Sequence, residues 1–158
     1  MLATPVADLA LRPLKREDAR ALYDLVHENR GHLTALGDYA ELVSSSFEKL
    51  DADLANAAAS NLRFGIFLAG TLIGSAVLIP VDPPRHGLGY WLAKDATGKG
   101  YATAAVGRLV TFARDDLRAS DIYAGVTRGN HRSQALLGRL GFLPAAKFER
   151  YTRYHLGL

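Results

Sequence analysis

The chain has 158 residues, a net charge of +3 and no cysteine, so it is read as one domain spanning residues 1–158 with enough length for its own core. The missing cysteines exclude a disulfide framework, a thiolate metal site and a cysteine nucleophile, and 49% hydrophobic against 22% charged residues excludes a disordered chain. No apolar run approaches the roughly 20 residues needed to cross a bilayer, and residues 1–5 lack the basic and apolar regions of a signal peptide, so a cytoplasmic protein with no membrane partner is expected.

Alternation of Leu9 and Leu11 with Asp8 and Arg12 predicts a strand over residues 7–14, which Pro13 confines to an edge or a strand end. Glu17 and Asp18 suit the first turn of a helix with Ala21, Leu22, Leu25 and Val26 on its apolar face and Gly31 as its stop. From residue 38 to about residue 60 a helical spacing returns in Tyr39, Leu42, Val43, Phe47, Leu50, Leu54 and Ala57, and the pattern leaves one helix or two open. Apolar runs at 62–68 and 72–79 flank Ala69-Gly70-Thr71, a hairpin signal. Residues 80–86, with Asp82-Pro83-Pro84, predict a hard turn, and 88–92 a third strand. A strong helix then carries Ala102, Val106, Leu109, Val110, Ala113 and Leu117 on one stripe. A strand at 122–126, a helix from Asn130 to Leu140 stopped by Gly141, and closing strands at 142–148 and 151–156 complete the order. This is a mixed α/β domain around one central sheet.

The chemistry concentrates in residues 92–103, which run strand, glycine loop, helix. A helix N-terminus offers unpaired N–H groups and a positive dipole end, and glycine lets backbone approach a phosphate closely. Gly98 and Gly100 sit in that loop, Lys99 adds a cation, and Thr103 adds a hydroxyl in the first turn. A flexible loop ahead of a helix explains the same residues without any ligand. The P-loop pattern is absent, and the full Gly-x-Gly-x-x-Gly fails because position 103 is Thr. The mild positive charge suits an anionic partner, but the cations form no run, which disfavours a nucleic-acid binder.

Gly89-Tyr90-Trp91-Leu92, followed by Thr97-Gly98-Lys99-Gly100-Tyr101-Ala102-Thr103-Ala104-Ala105, resembles the acetyl-CoA signature of the GNAT superfamily of N-acetyltransferases. Asn130-His131-Arg132-Ser133 and then Leu140-Gly141-Phe142 resemble its second half. The opening 9–14 with Glu17-Asp18-Ala19, and Glu28-Asn29-Arg30 with His32-Leu33, are also similar, closest to the RimJ/RimL branch, which acetylates ribosomal-protein N-termini. The resemblance implies a GNAT fold, a mixed and mostly antiparallel sheet splayed mid-way and flanked by helices. It also implies acetyl transfer from acetyl-CoA to a primary amine by direct attack.

Carried onto this chain, the family's Gln/Arg-x-x-Gly-x-Gly/Ala pattern falls on Thr97, Gly100 and Ala102, with Thr97 a departure. Gly98, Lys99, Tyr101 and Thr103 complete the implied pyrophosphate loop. The strand ending at Trp91-Leu92 would pair with the pantetheine arm, and Asn130 and Ser133 would lie near the thiol end. Asn130 is equally an ordinary helix N-cap. Two departures bear on catalysis. Gly87 stands where relatives often carry a glutamate base, and Leu137 stands where many carry a tyrosine acid. Ser133 is the hydroxyl left to serve as acid; first-turn capping is its alternative role. His86, Glu28, Glu41 and Glu149 are candidate bases, His86 for its intrinsic pKa, with a solvated turn histidine as the plainer reading. His27, His32, His131 and His155 show no metal spacing, and no metal is expected. The acceptor is left between a protein N-terminal amine and a small-molecule amine, and a homodimer is left open. Gly87 and Leu137 motivate the alternative of a CoA-binding protein whose catalytic site has decayed.

Overall fold

Strand β1 (Leu2–Ala3) pairs with β2 (Leu9–Pro13), whose Leu9 and Leu11 are almost fully buried. The computed structural model describes residues 1–56 and 62–158. After β2, a 3-10 turn at Arg16–Asp18 leads into α1 (Ala19–Glu28), α2 (Arg30–Thr34), α3 (Ala40–Ser44) and α4 (Phe47–Ala55). A meander of β3 (Leu62–Leu68), β4 (Thr71–Asp82) and β5 (Arg85–Leu92) follows. The chain ends with α5 (Tyr101–Asp115), β6 (Asp121–Thr127), α6 (His131–Arg139), β7 (Leu143–Lys147) and β8 (Tyr151–Gly157). This is the order expected from the sequence pattern, with β1 added.

All eight strands form one sheet in the order β1-β2-β3-β4-β5-β6-β8-β7. Every neighbouring pair is antiparallel except β5 and β6. That parallel pair holds only from Arg85↔Asp121 to Gly87↔Tyr123. Beyond Gly87 the two strands run on, β5 to Leu92 and β6 to Thr127, without pairing to each other. A sheet that opens there exposes backbone N–H and C=O groups that need another partner.

Helices cover both faces because each face of the sheet is apolar. One core packs Ala105, Val106 and Leu109 of α5 and Leu136 and Leu137 of α6 against Leu78, Leu88 and Ile122. The other packs Leu22 and Val26 of α1, Val43 of α3 and Leu50 of α4 against Leu14 and Leu72. Truncating a side chain as enclosed as Leu109 costs about 2–5 kcal/mol through lost transfer energy and the cavity left behind.

Several boundaries differ from the sequence expectation. Helix α1 breaks at Asn29 (φ −109°, ψ 17°), and Gly31 lies inside α2 rather than ending α1. Ala19 replaces the exposed Ala21 on the buried face. The region from residue 38 is two helices, divided where Ser45 turns extended and Ser46 caps α4 by accepting the Lys49 N–H. Ala57, Ser60 and the end of the expected pattern lie outside the described residues. The 80–86 turn is shorter than expected. Pro80 still pairs with His86, and only Pro83-Pro84 turns the chain, through a cis bond. At the other hairpin, Ala69 (φ 49°) and Gly70 (φ 81°) are both left-handed, the geometry of a tight two-residue turn. Among the described residues no helix is long and apolar enough to cross a membrane.

Candidate active site

A cleft of about 880 Å³ lies against the end of β5 at Tyr90–Leu92 and the starts of α5 and α6, within the range of small-molecule sites. Its upper wall is the loop leading into α5. Gly98 (φ 75°) and Gly100 (φ 84°) are left-handed, and a Cβ added to either would meet no atom within 4 Å. Gly100 occupies the N-cap of α5, so the helix presents its first N–H groups and positive end to open space. Thr97, Gly98, Gly100, Tyr101, Ala102 and Thr103 all line the cleft, whereas Lys99 is exposed and does not.

Thr97 uses its hydroxyl locally, donating to Lys94 O at 2.6 Å, and Lys94 N–H donates to Asn29 Oδ1 at 2.9 Å. The end of α1 thereby braces the loop. Thr103 accepts a hydrogen bond from Arg139 at 2.8 Å, which brings a guanidinium from α6 to the mouth. Lys94, Arg132 and Arg139 give this rim a positive field suited to an anion. The glycine cradle, the helix N-terminus, the cations and the β5 edge at Trp91 and Leu92, which β6 does not pair, fit a ligand with a pyrophosphate at one end and an extended amide chain.

At the inner end, α6 starts at Asn130, whose Oδ1 accepts the Ser133 N–H at 3.2 Å. Asn130 is therefore a helix cap that also lines the cleft. Ser133 Oγ accepts the Tyr90 hydroxyl at 2.8 Å, which leaves its own proton available to a third group. Burial pushes the Tyr90 phenol upward, against smaller opposing pulls from Ser133 and Arg139, so it stays protonated. The loop between α2 and α3 closes the inner end. Tyr39, left-handed at φ 62°, donates its hydroxyl to Tyr90 O at 2.6 Å. Burial, with a lesser contribution from the Asp38 charge, raises the Tyr39 phenol well above the ordinary tyrosine range. Asp38 accepts from Thr127 Oγ1 at 2.8 and 2.7 Å. One loop thus touches β5 through Tyr39 and β6 through Asp38. A smaller cavity of about 250 Å³ lies at this point, between Leu88–Tyr90 on β5 and Gly125 and Thr127 on β6.

His86 is only 6% exposed and sits on the paired stretch opposite Ile122, outside both cavities. In the tautomer that protonates Nδ1, it donates to Pro84 O at 3.2 Å. It is therefore neither a solvated turn histidine nor a neighbour of Ser133. Glu28, Glu41 and Glu149 are exposed and line neither cavity. Leu137 is fully buried core. A Cβ at Gly87 would meet Ile79 and Val81 at 3.6–3.8 Å, ordinary contact. Sequence reasoning missed the Tyr90 hydroxyl, Asp38, Tyr39 and Arg139. Tyr90 stands inside the quoted motif, and the other three carry no local signal. Among the described residues no three His, Asp or Glu side chains are grouped to hold a metal.

The family described as "Acetyltransferase (GNAT) domain" matches residues 8–143. The chain is 28% identical over 151 residues to YdaF of Bacillus subtilis (strain 168), a protein named as a ribosomal N-acetyltransferase, across 88% of this chain and 80% of that one. It is 30% identical over 148 residues to YjcK of the same strain, named as an N-acetyltransferase, across 84% and 78%. A solved RimL, named as a ribosomal L7/L12 alpha-N-protein acetyltransferase in complex with coenzyme A, matches with a TM-score of 0.86 at 19% identity, over 99% of this chain and 97% of that one. That likeness establishes the splayed, mostly antiparallel sheet as the GNAT fold. The chain belongs to the GNAT family of acetyltransferases, whose acetyl donor is acetyl-CoA.

Proposed function

We propose that this acetyltransferase moves the acetyl group of acetyl-CoA to a primary amine by direct attack, and that the acceptor is a protein N-terminal amine. One observation carries the reading: the α5 N-terminus, the free edge of β5 and the Ser133 hydroxyl all open into one cleft. The N–H groups around Gly98 and Gly100 hold the pyrophosphate, with Arg139 and Lys94 adding charge. The backbone at Trp91 and Leu92 takes up the amide arm as an added strand would. Bound acetyl-CoA supplies an activated acyl carbon and a thiolate leaving group, whose thiol has an ordinary pKa near 8.5.

Ser133 donates its proton to the departing sulfur and regains one from the cleft solvent that takes up the amine's proton, while the Tyr90 hydroxyl stabilises the serine oxygen by its hydrogen bond. The chain has no cysteine to carry an acyl intermediate. The attacking amine has to be neutral; the candidate bases His86, Glu28, Glu41 and Glu149 line neither cavity, and Asp38 is the one carboxylate that does among the described residues, so the amine's proton leaves to solvent in a cleft that holds Asp38. The similarity to YdaF, named as a ribosomal N-acetyltransferase, favours an N-terminal amine over a small molecule. A thiol-release assay across N-terminal peptides, polyamines, aminoglycosides and amino acids tests this reading. Turnover is expected on peptides with free N-termini. Intact acetyl-CoA binding with no turnover on any amine would instead make this a CoA-binding protein without transferase activity.

A further inference from the structure

We infer that Asp38 is the residue that receives the ammonium of the acceptor, and that it selects acceptors carrying one positive charge there. The inference rests on the transferase reading above. Among the described residues lining the two cavities, Asp38 is the only acid. It lines both, together with Ser133 and Tyr90, so it stands where the cleft passes through the opening between β5 and β6. The remaining charged groups of the lining, including Lys94, Arg132 and Arg139, are cationic and belong to the larger cleft.

The carboxylate is positioned but not neutralised. Thr127 lies 2.8 and 2.7 Å from its two oxygens, yet one hydroxyl has one proton to give. An ionised carboxylate has about four acceptor positions, so most remain open to N–H donors. No lysine, arginine or histidine among the described residues forms an ion pair with it. An alkylammonium with three N–H donors can fill the acceptor positions that Thr127 leaves open and supply a counter-charge. The neighbouring Tyr39, anchored on Tyr90 O, fixes the loop that carries it.

The count of charges narrows the acceptor class. One carboxylate matches one ammonium. The second and third ammonium groups of a polyamine would find no acid in either cavity and would face the cationic rim instead. A peptide N-terminus, with a single ammonium followed by neutral amides, meets no such repulsion.

Calorimetry on the CoA-saturated protein tests this, with the tripeptide alanylglycylglycinamide as the mono-ammonium probe and spermidine as the polycation. The expected result is that the tripeptide binds, that spermidine binds at least tenfold more weakly, and that Asp38→Asn weakens the tripeptide at least tenfold while leaving CoA affinity within about twofold. Thr127→Val separates charge from scaffolding. It removes the hydrogen bond to Asp38 but keeps the carboxylate, whereas Asp38→Asn keeps an oxygen that can accept from Thr127 and loses the charge, and Thr127→Val is expected to cost the tripeptide less than about threefold. The inference is overturned if the tripeptide fails to bind the native protein, if Asp38→Asn leaves its affinity unchanged, or if Thr127→Val costs as much as Asp38→Asn. Tripeptide binding that depends on Asp38, without any acetylation of the tripeptide, would uphold the inference and overturn the transferase reading.

Discussion

The Tyr90 hydroxyl reaches Ser133 Oγ at 2.8 Å, and with it β5 stays tied to the start of α6 at the point where β5 has already parted from β6. The same tyrosine accepts the Tyr39 hydroxyl on its backbone oxygen. Side chain and main chain of one residue therefore define both sides of the passage between the cleft and the smaller cavity. The arrangement puts the Ser133 hydroxyl beside the opening that Asp38 also lines, and its part in the proposed transfer is that of an acid toward the leaving group.

Ser133→Ala is expected to lower kcat roughly 10- to 100-fold, at or below the weak end of acid–base contributions, because a thiolate leaves moderately well unaided. Acetyl-CoA affinity should barely change, since the α5 amides and Asn130 remain. Tyr90→Phe should lower kcat less than Ser133→Ala, because it removes only the hydrogen bond to the serine. Steady-state kinetics with separate kcat and KM values decide the point. If kcat holds in Ser133→Ala while donor affinity falls, Ser133 caps and binds, and water is the acid.

Gly100→Val is expected to reduce acetyl-CoA affinity at least about tenfold, or about 1.4 kcal/mol. Gly100 has φ 84°, a conformation that a β-branched residue avoids. The space around it is open, so the protein can fold with the loop re-aimed and the helix end displaced. Calorimetric titration of a folded variant reads this directly. Native affinity in that variant would remove the loop from the donor site.

The order of elements was legible because it depends on local periodicity. The α5 stripe through Val106 and Leu109 buries the face its spacing implies, and the apolar runs at 62–68 and 72–79 form β3 and β4. The glycines before α5 were legible for the same reason, since their backbone need is local. Two-residue β1 is too short to carry a period, and Gly31 misled because a glycine in a short helix costs only about 1 kcal/mol relative to Ala. Asp38 and Tyr39 were beyond reach. Their partners Thr127 and Tyr90 lie far along the chain, and only the splay of β5 from β6 brings them together. His86 misled differently: its place next to Gly87 in sequence is real, but the strand stays paired there, and the opening begins further on.

His86→Gln is expected to leave the shape of the pH–rate profile unchanged, with turnover rising toward the pKa of the amine acceptor. The imidazole is buried on paired strand, away from both cavities. The substitution should act on stability instead, by about 1–3 kcal/mol for a buried hydrogen-bonding group. A native profile that levels off above roughly pH 7, and loses that plateau in His86→Gln, would restore the histidine as a base.

The last prediction concerns the anchor of α1. Arg12 on β2 grips Asp18 through two hydrogen bonds of 2.8 Å, and the Lys15 N–H donates to the same carboxylate at 2.8 Å. The Asp18 side chain is 10% exposed and that of Arg12 32%, so solvent screens the contact only in part. The Arg12 hydrogen bonds, opposed by burial and helped by the Lys15 N–H, hold the Asp18 carboxyl below its ordinary range. A carboxyl with a lower pKa folded than unfolded adds stability that is fully present above the unfolded value, about 3.9. That stability is lost as pH falls from there through the folded value. Asp18→Asn keeps the shape and removes the charge. Near neutral pH it should cost about 2 kcal/mol, typical of hydrogen bonds to a charged group, which lowers Tm by about 4–8 °C in a chain of this size. At roughly pH 3, where native Asp18 is losing its own advantage, the Tm difference between native and variant should narrow. Melting curves at both pH values check it. A Tm difference that stays constant between them would mean that the ion pair is not what holds α1 to the sheet.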